Sequence, residues 1–407
     1  MLFPLAVDRL ADLEAGQRRG RIPDAVDAHL RGFFSVCGFF DVLPAGQNPR
    51  GAALEGATRT TIDFQSWHSS GAWAFVKGTL SRDSRKRPVL TLQLFVAEEA
   101  RARLMPHDRQ VLKDLDPKTI KRAVALWVDD VVTAFTGKGG VFSTRIAFAH
   151  RDSKMTPKEV YVMDVDGGNR SAITQNGSIN MLPAWTPNGQ VAYTSFQDHN
   201  PDLFVGKRKL SRYPRMNSGV AFHPDGKRMA LTLSKDGNAE IYISNAKSGK
   251  TIRRVTVNRA IDTSPTWSPD GKRLAFLSDR ATGLPQIFTI DLTSSEPPRR
   301  PPQVGGYNSS PDWSPTGDEI AYSAQVGGER YQIFVIDLKA GVVRRLTSQG
   351  SNEEPSWSPD GRYIVYSSRR SGRQGLWVMS ADGRFTHQIS SGPGIFSTPA
   401  WERPTRR

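Results

Sequence analysis

Trp267-Ser-Pro-Asp-Gly271, followed two residues later by Leu274-Ala-Phe276, is the stretch that decides the fold. Pro fixes φ, Asp bonds its own backbone and Gly accepts positive φ, so the pentapeptide is a tight turn, and an alternating strand leaves it. The same unit recurs as Trp185-Thr-Pro-Asn-Gly, Phe222-His-Pro-Asp-Gly, Trp313-Ser-Pro-Thr-Gly and Trp357-Ser-Pro-Asp-Gly, with a degenerate copy at Trp401-Glu-Arg-Pro. The aromatic residues stand 37, 45, 46, 44 and 44 residues apart, which is the length of one propeller blade. Each unit carries a second strand, such as Ile287-Phe-Thr-Ile or Ile333-Phe-Val-Ile, and outer strands such as Arg345-Leu-Thr and His387-Gln-Ile-Ser follow. The Trp before each turn is placed to fill the gap between neighbouring blades.

The offset of the copies predicts how the ring closes. Ile146-Ala-Phe has no inner strand before it, and Pro399-Ala-Trp401 has nothing after it. The C-terminal strand should therefore complete the blade begun at Val141, giving a six-bladed β-propeller over residues 141–407. Blade four departs from the pattern with Pro297-Pro298-Arg299-Arg300-Pro301-Pro302 on its outer side.

Residues 1–138 lack the repeat and read as a mixed α/β domain. Ile120, Ala123, Val124, Trp127, Val128, Val131, Val132 and Phe135 share one helical face, with Asp116 as N-cap, Pro117 first and Gly137 as the stop. A second helix is expected over Asp24–Val36, and strands over Leu2–Val7, Trp73–Thr79 and Val89–Val96. Gly137-Lys138-Gly139-Gly140 reads as the joint between the two parts. Leu2–Val7 is too short for the apolar core of a secretory signal and reads as a first strand.

The net charge of +15 admits nucleic acid or an anionic envelope surface as partner, and equally a set of solvated faces that serve only solubility. Its clusters, Arg82-Arg85-Lys86-Arg87, Lys207-Arg208-Lys209 and Arg369-Arg370-Arg373, are scattered among repeats, and no nucleic-acid-binding module accompanies them. No apolar run is long enough to span a bilayer. Cys37, the single cysteine, lies in an apolar run and reads as a small buried hydrophobe. Chemistry finds little footing. A hydrolase partner to such a propeller needs a Gly-x-Ser-x-Gly elbow, which the sequence does not contain. The seven histidines show no metal-like pairing. His223 stands where Ser is usual in the turn and reads as a surface turn residue. No catalytic residue, cofactor or metal is expected. A propeller enzyme and a propeller sensor module remain the rival readings.

One periodicity suggests a binding site. Five residues before each repeat aromatic stand Asn180, Asn217, Asp262, Asn308 and Asn352, with Phe396 in the sixth copy. A repeated Asx-turn opening each inner strand explains them, and so does a ring of polar groups at one mouth of the channel. The two readings are compatible.

The whole chain resembles the TolB family of the Tol-Pal envelope system. The resemblance is carried by Phe64-Gln-Ser-Trp67, Gly71-Ala72-Trp73 and Gly78-Thr79. It is carried also by Thr136-Gly137 with Gly140-Val141-Phe142-Ser143-Thr144-Arg145-Ile146-Ala147, and by the propeller repeat. It implies a periplasmic, non-catalytic, monomeric scaffold that binds Pal, the peptidoglycan-associated lipoprotein, and engages TolA through its extreme N-terminus. It implies further that Pal docks at the channel mouth, with contacts mapping to Met216, Asn217, Gly219 and Thr263 beside the Asx ring. Arg369 is expected on the far outer part of a blade, away from those contacts.

Overall fold

The structure is a computed structural model that describes residues 2–13, 21–52, 55–328, 330–370 and 372–403. The chain divides into two compact units, Met1–Ser143 and Thr144–Arg407.

The first unit is built on a seven-stranded sheet. Phe3–Val7 runs parallel to Phe40–Val42 on one side and to Ala74–Arg82 on the other. Ala74–Arg82 pairs antiparallel with Pro88–Val96, and Ala11–Asp12, Arg101–Arg103 and Arg109–Val111 finish the edges. Helices Arg21–Cys37 and Pro117–Thr136 bury their apolar faces against each other, with Phe34 edge-on to Trp127 at 6.2 Å. Cys37 is buried. The second of these helices starts and stops where its residues dictate. Asp116 accepts from Lys118 N–H at 2.9 Å, and Gly137 ends the helix at φ 68° with its N–H on Thr133 O. Just beyond it, Gly140 is a steric necessity. A Cβ on Gly140 would stand 2.4 Å from Asp129 Cα, while the Asp129 carboxylate accepts from Phe142 and Ser143 N–H. A separate cluster stacks Trp67 on Phe75 and Phe75 on Phe95, at 4.3 and 5.3 Å between ring centres. Lys77 crosses that region almost fully buried. Its Nζ lies 3.0 Å from both Asp8 and Glu55 carboxylates and 5.2 Å from the Trp67 ring centre.

The second unit is a six-bladed propeller. Blade one is made of Arg145–Arg151, Glu159–Asp164 and Ser171–Ala172, with Ile395–Trp401 as its inner strand. The pairing Trp401↔Ile146 is the expected ring closure, and Trp401 Nε1 donates to Thr144 Oγ1 at 2.9 Å. The inner strands of blades two to six are Asn180–Trp185, Asn217–Phe222, Asp262–Trp267, Asn308–Trp313 and Ser351–Trp357. Each apolar cluster joins two neighbours: Trp313, Ile320 and Tyr322 of blade five pack with Ala275, Leu277 and Ile287 of blade four. The Trp side chains thus fill the gaps between blades, and two of them donate across the gap, Trp267 to Ala221 O and Trp185 to Ala400 O.

Two details differ from the sequence reading. Blade four has three strands, because the proline-rich stretch cannot supply the N–H groups of a fourth. The edge of Gln286–Asp291 is closed instead by the single bridge Thr289↔Arg299 and by Gln303, whose Oε1 accepts from Ile287 N–H at 2.8 Å while its Nε2 donates to Ile287 O. His223 is in its turn but is buried, not on the surface. Its Nδ1 accepts from Asp225 N–H, as a Ser hydroxyl would, and its ring packs edge-on to Trp267 at 4.5 Å.

Candidate functional site

The five Asx positions sit at the end of the propeller where the inner strands begin, and all five are fully buried. Asn217 shows why. Its Oδ1 accepts from Ser211 Oγ and Tyr213 N–H, and its Nδ2 donates to Tyr213 O at 2.6 Å. Asn180 donates to Glu159, Asn176 and Ser178. Asn352 donates to Gln332 and Gln349, and the Asn308 amide meets Gln303 at 2.8 Å. Asp262 accepts from Asn258 Nδ2 and from Arg280 at 2.7 Å. Each side chain helps to hold the connection that delivers the chain to the inner strand, although Asp262 Oδ1 and Asn352 Oδ1 are buried without a hydrogen-bond partner. The accessible groups are those around them. Met216 is exposed, and Thr263 is half-buried. Gly219 of blade three lies against blade four, where a Cβ on it would stand 3.7 Å from Ser264 Cα. Gly219 and the Thr263–Ser264 pair are therefore brought together across one blade junction.

A second ring follows two residues further on, which sequence reading missed. Leu182, Gly219, Ser264, Ser310, Glu354 and Thr398 all have φ between 46° and 61°, and each inner strand slips register there. Five of the six are not glycine, so the conformation costs energy and must be held by its surroundings. The holding groups come from the preceding blade. Ser264 N–H donates to Thr232 Oγ1, Glu354 N–H to Ser323 Oγ, and Thr398 N–H to Glu354 Oε2 at 2.5 Å. A signal for this ring exists in the sequence: proline follows in five of the six copies, as in Leu182-Pro183 and Thr398-Pro399. Glu354 also accepts from Ser367 Oγ. Desolvation in the channel wall pushes its carboxyl above the usual range, against the opposing pull of the Thr398 and Ser367 hydrogen bonds.

The loops around this mouth carry exposed apolar side chains. Met155, Phe196, Met216, Val257, Ile261 and Leu284 are all exposed there, Met155 by 94% and Val257 by 73%. Among the described residues of the propeller, the other exposed large apolar side chains also lie at this end, apart from Ile252 and Val342 on outer strands. The opposite end carries the Pro-Asp-Gly turns and is polar. Arg403, carried by the first blade, reaches past the sixth blade to the Asp312 carboxylate of the fifth at 2.8 Å. Arg369, expected far out on its blade, pairs opposite Ser351 at the mouth end. Among the described residues no group of three or more His, Cys, Asp or Glu side chains is arranged to hold a metal, and no helix is long and apolar enough to cross a membrane.

Comparison with known proteins places this architecture. Residues 132–405 match the family model described as the TolB beta propeller domain. The chain is 33% identical over 278 residues to a protein TolB homolog of Chlorobium luteolum, covering 67% of the chain and 61% of the relative. It is 34% identical over 278 residues to the Tol-Pal system protein TolB of Anaeromyxobacter dehalogenans, covering 65% of the chain and 59% of the relative. The match thus spans less than two thirds of the length of either relative. The crystal structure of TolB from Acinetobacter baumannii is similar over 98% of this chain and 96% of that one, with a TM-score of 0.82 at 27% identity.

Proposed function

The chain belongs to the TolB propeller family, and from that premise we propose that it is a non-catalytic periplasmic docking protein. Its partner is a Pal-like peptidoglycan-associated lipoprotein, received at the channel mouth, and through it the protein supports outer-membrane integrity and cell division. TolA is the second partner of this reading. The observation that carries it is the asymmetry of the two ends: exposed apolar side chains gather around the mouth, and polar turns occupy the other end. Exposed apolar patches on a rigid rim mark protein docking sites, and a rim of short loops loses little ordering entropy on binding. The buried Asx side chains and the six strand bulges hold that rim in place, while Met216, Gly219 and Thr263 are the groups offered to the partner.

The test is calorimetry with the purified periplasmic domain of the organism's own Pal-like lipoprotein. Thr263→Arg puts bulk and an unpaired charge at the blade-three and blade-four junction, and is expected to weaken binding at least tenfold, about 1.4 kcal/mol, with an unchanged melting temperature. Lys339→Ala, in an exposed turn at the opposite end, should bind as wild type does. Arg369→Ala is no distal control, because Arg369 lies at the mouth end. Undiminished binding by Thr263→Arg, or no binding by wild type, removes the mouth as the docking site.

A further inference from the structure

The end opposite the mouth has one corner of a different character. Three turns of blades two and three meet there. Ala246 N–H donates to Lys227 O at 2.9 Å, and Arg208 Nη1 donates to Lys247 O at 2.8 Å. Gly249 is pressed so closely onto blade two that a Cβ on it would stand 1.8 Å from Leu210 O. These contacts gather Lys207, Arg208, Lys227, Lys247 and Lys250, all of them exposed. Among the described residues none of the five is ion-paired. The nearby Asp225 is taken by Arg228 at 2.8 Å and by the backbone of its own turn.

The charge imbalance is local and has a definite origin. The equivalent hairpins of blades one, four and five open on Asp164, Asp291 and Asp337. Blade three has Asn245, whose Oδ1 caps the turn by accepting from Lys247 and Ser248 N–H just as Asp337 does for Lys339 and Ala340. The turn is kept and the negative charge is lost. Blade two turns through Gly206 and Lys207 with no acid at all. Beside the corner, on the outer strand Thr251–Arg254, Ile252 is 59% exposed next to the exposed Arg253.

We propose that this corner docks the protein on a bilayer surface bearing anionic phospholipid headgroups. Four of the five cations are lysines, hydrated point charges on flexible stems that follow a mobile charged surface better than they define a fixed bidentate site. Each contributes about 1 kcal/mol near an anionic membrane. The exposed apolar neighbour is aliphatic, which suits the boundary between headgroups and acyl chains. It offers no ring on which a nucleic-acid base could stack. The corner lies at the end away from the mouth, so it does not compete with a partner docked there.

The test uses the full chain and sedimentation with phosphatidylcholine vesicles, with and without phosphatidylglycerol, at low and physiological salt. Wild type is expected to bind only the anionic vesicles. A variant carrying Lys207→Gln, Arg208→Gln, Lys227→Gln, Lys247→Gln and Lys250→Gln should lose about a thousandfold or more in partitioning. A control with the same charge change elsewhere, Arg85→Gln, Lys86→Gln, Lys118→Gln, Arg122→Gln and Lys138→Gln, should keep most of it. Equal loss in both variants would make net charge the cause and overturn the proposal. So would binding to phosphatidylcholine alone, no vesicle binding by wild type, or release of the protein from vesicles by duplex DNA at matched phosphate. Should the five-site variant misfold, the single variants Lys227→Gln, Lys247→Gln and Lys250→Gln must each lower partitioning severalfold, and flat values across them overturn the proposal equally. Lipoprotein binding at the mouth, measured on the same variants, is expected to be unchanged, so failure here is separable from failure of the docking function.

Discussion

Truncation after Gly394 is expected to abolish the folded propeller. The missing segment holds Ile395–Trp401, the only inner strand of the blade that starts at Arg145. Phe396 and Trp401 are buried, and each such loss from a core costs about 3–5 kcal/mol. The bonds of Trp401 to Thr144 and to Ser356 go as well, and so does that of Thr398 to Glu354. The sum rivals the roughly 5–15 kcal/mol that holds a whole domain together. The edge of Arg145–Arg151 is also left bare, and bare edges pair with other molecules. Insoluble or molten protein is the expected outcome in circular dichroism and size exclusion. A soluble truncated chain with the melting temperature of the full one would mean that the ring does not close through this strand.

The second large effect is expected in the N-terminal unit. Lys77→Ala removes the cation held 3.0 Å from both Asp8 and Glu55 and leaves two carboxylates facing each other in the interior. Losing one partner of a buried ionic cluster costs about 3–5 kcal/mol. Glu55 also accepts from Trp67 Nε1 and Asp63 N–H, so the loop that precedes the Trp67 helix is tied to the same cluster. Hydrogen exchange followed by mass spectrometry should show lost protection across Ala74–Arg82 and Phe64–Ser69, with the propeller strands little changed. Unaltered protection in both segments would show that the cluster contributes nothing to the unit's stability.

Most of the fold was legible because the propeller writes each blade as the same local chemistry. The Pro-Asp-Gly turn and the Trp that precedes it are nearest-neighbour devices, and the missing first inner strand could be counted. The long helix was legible for the same reason, since Asp116, Pro117 and Gly137 act within one turn of its ends. What was not legible depends on which way a side chain points. The Asx residues recur at one offset, and that offset is the same whether they face a partner or the connection behind them. Burial decides the matter, and burial is a tertiary property. His223 failed likewise: a ring in place of a hydroxyl makes the turn's hydrogen bond, yet its bulk is accommodated by the neighbouring Trp267 and Gly271. The apolar mouth escaped because residues such as Val257 and Leu284 stand singly in polar loops and gather only when six blades are arranged in a circle. The strained ring at Leu182 to Thr398 left a trace in the prolines that follow it, which alone do not specify a positive φ.

The closing strand also sets a clock. Ile146 and its partner Trp401 stand at the two extremes of the propeller sequence. A chain emerging from a ribosome in order has made five blades before the first can be finished. Contacts of such long sequence separation form late. Throughout its synthesis the nascent propeller therefore remains an open crescent, short of its native state until the final residues are released. Under the periplasmic reading proposed above, that delay is useful: a chain that crosses a membrane unfolded has its last folding step withheld until the whole propeller is free on one side.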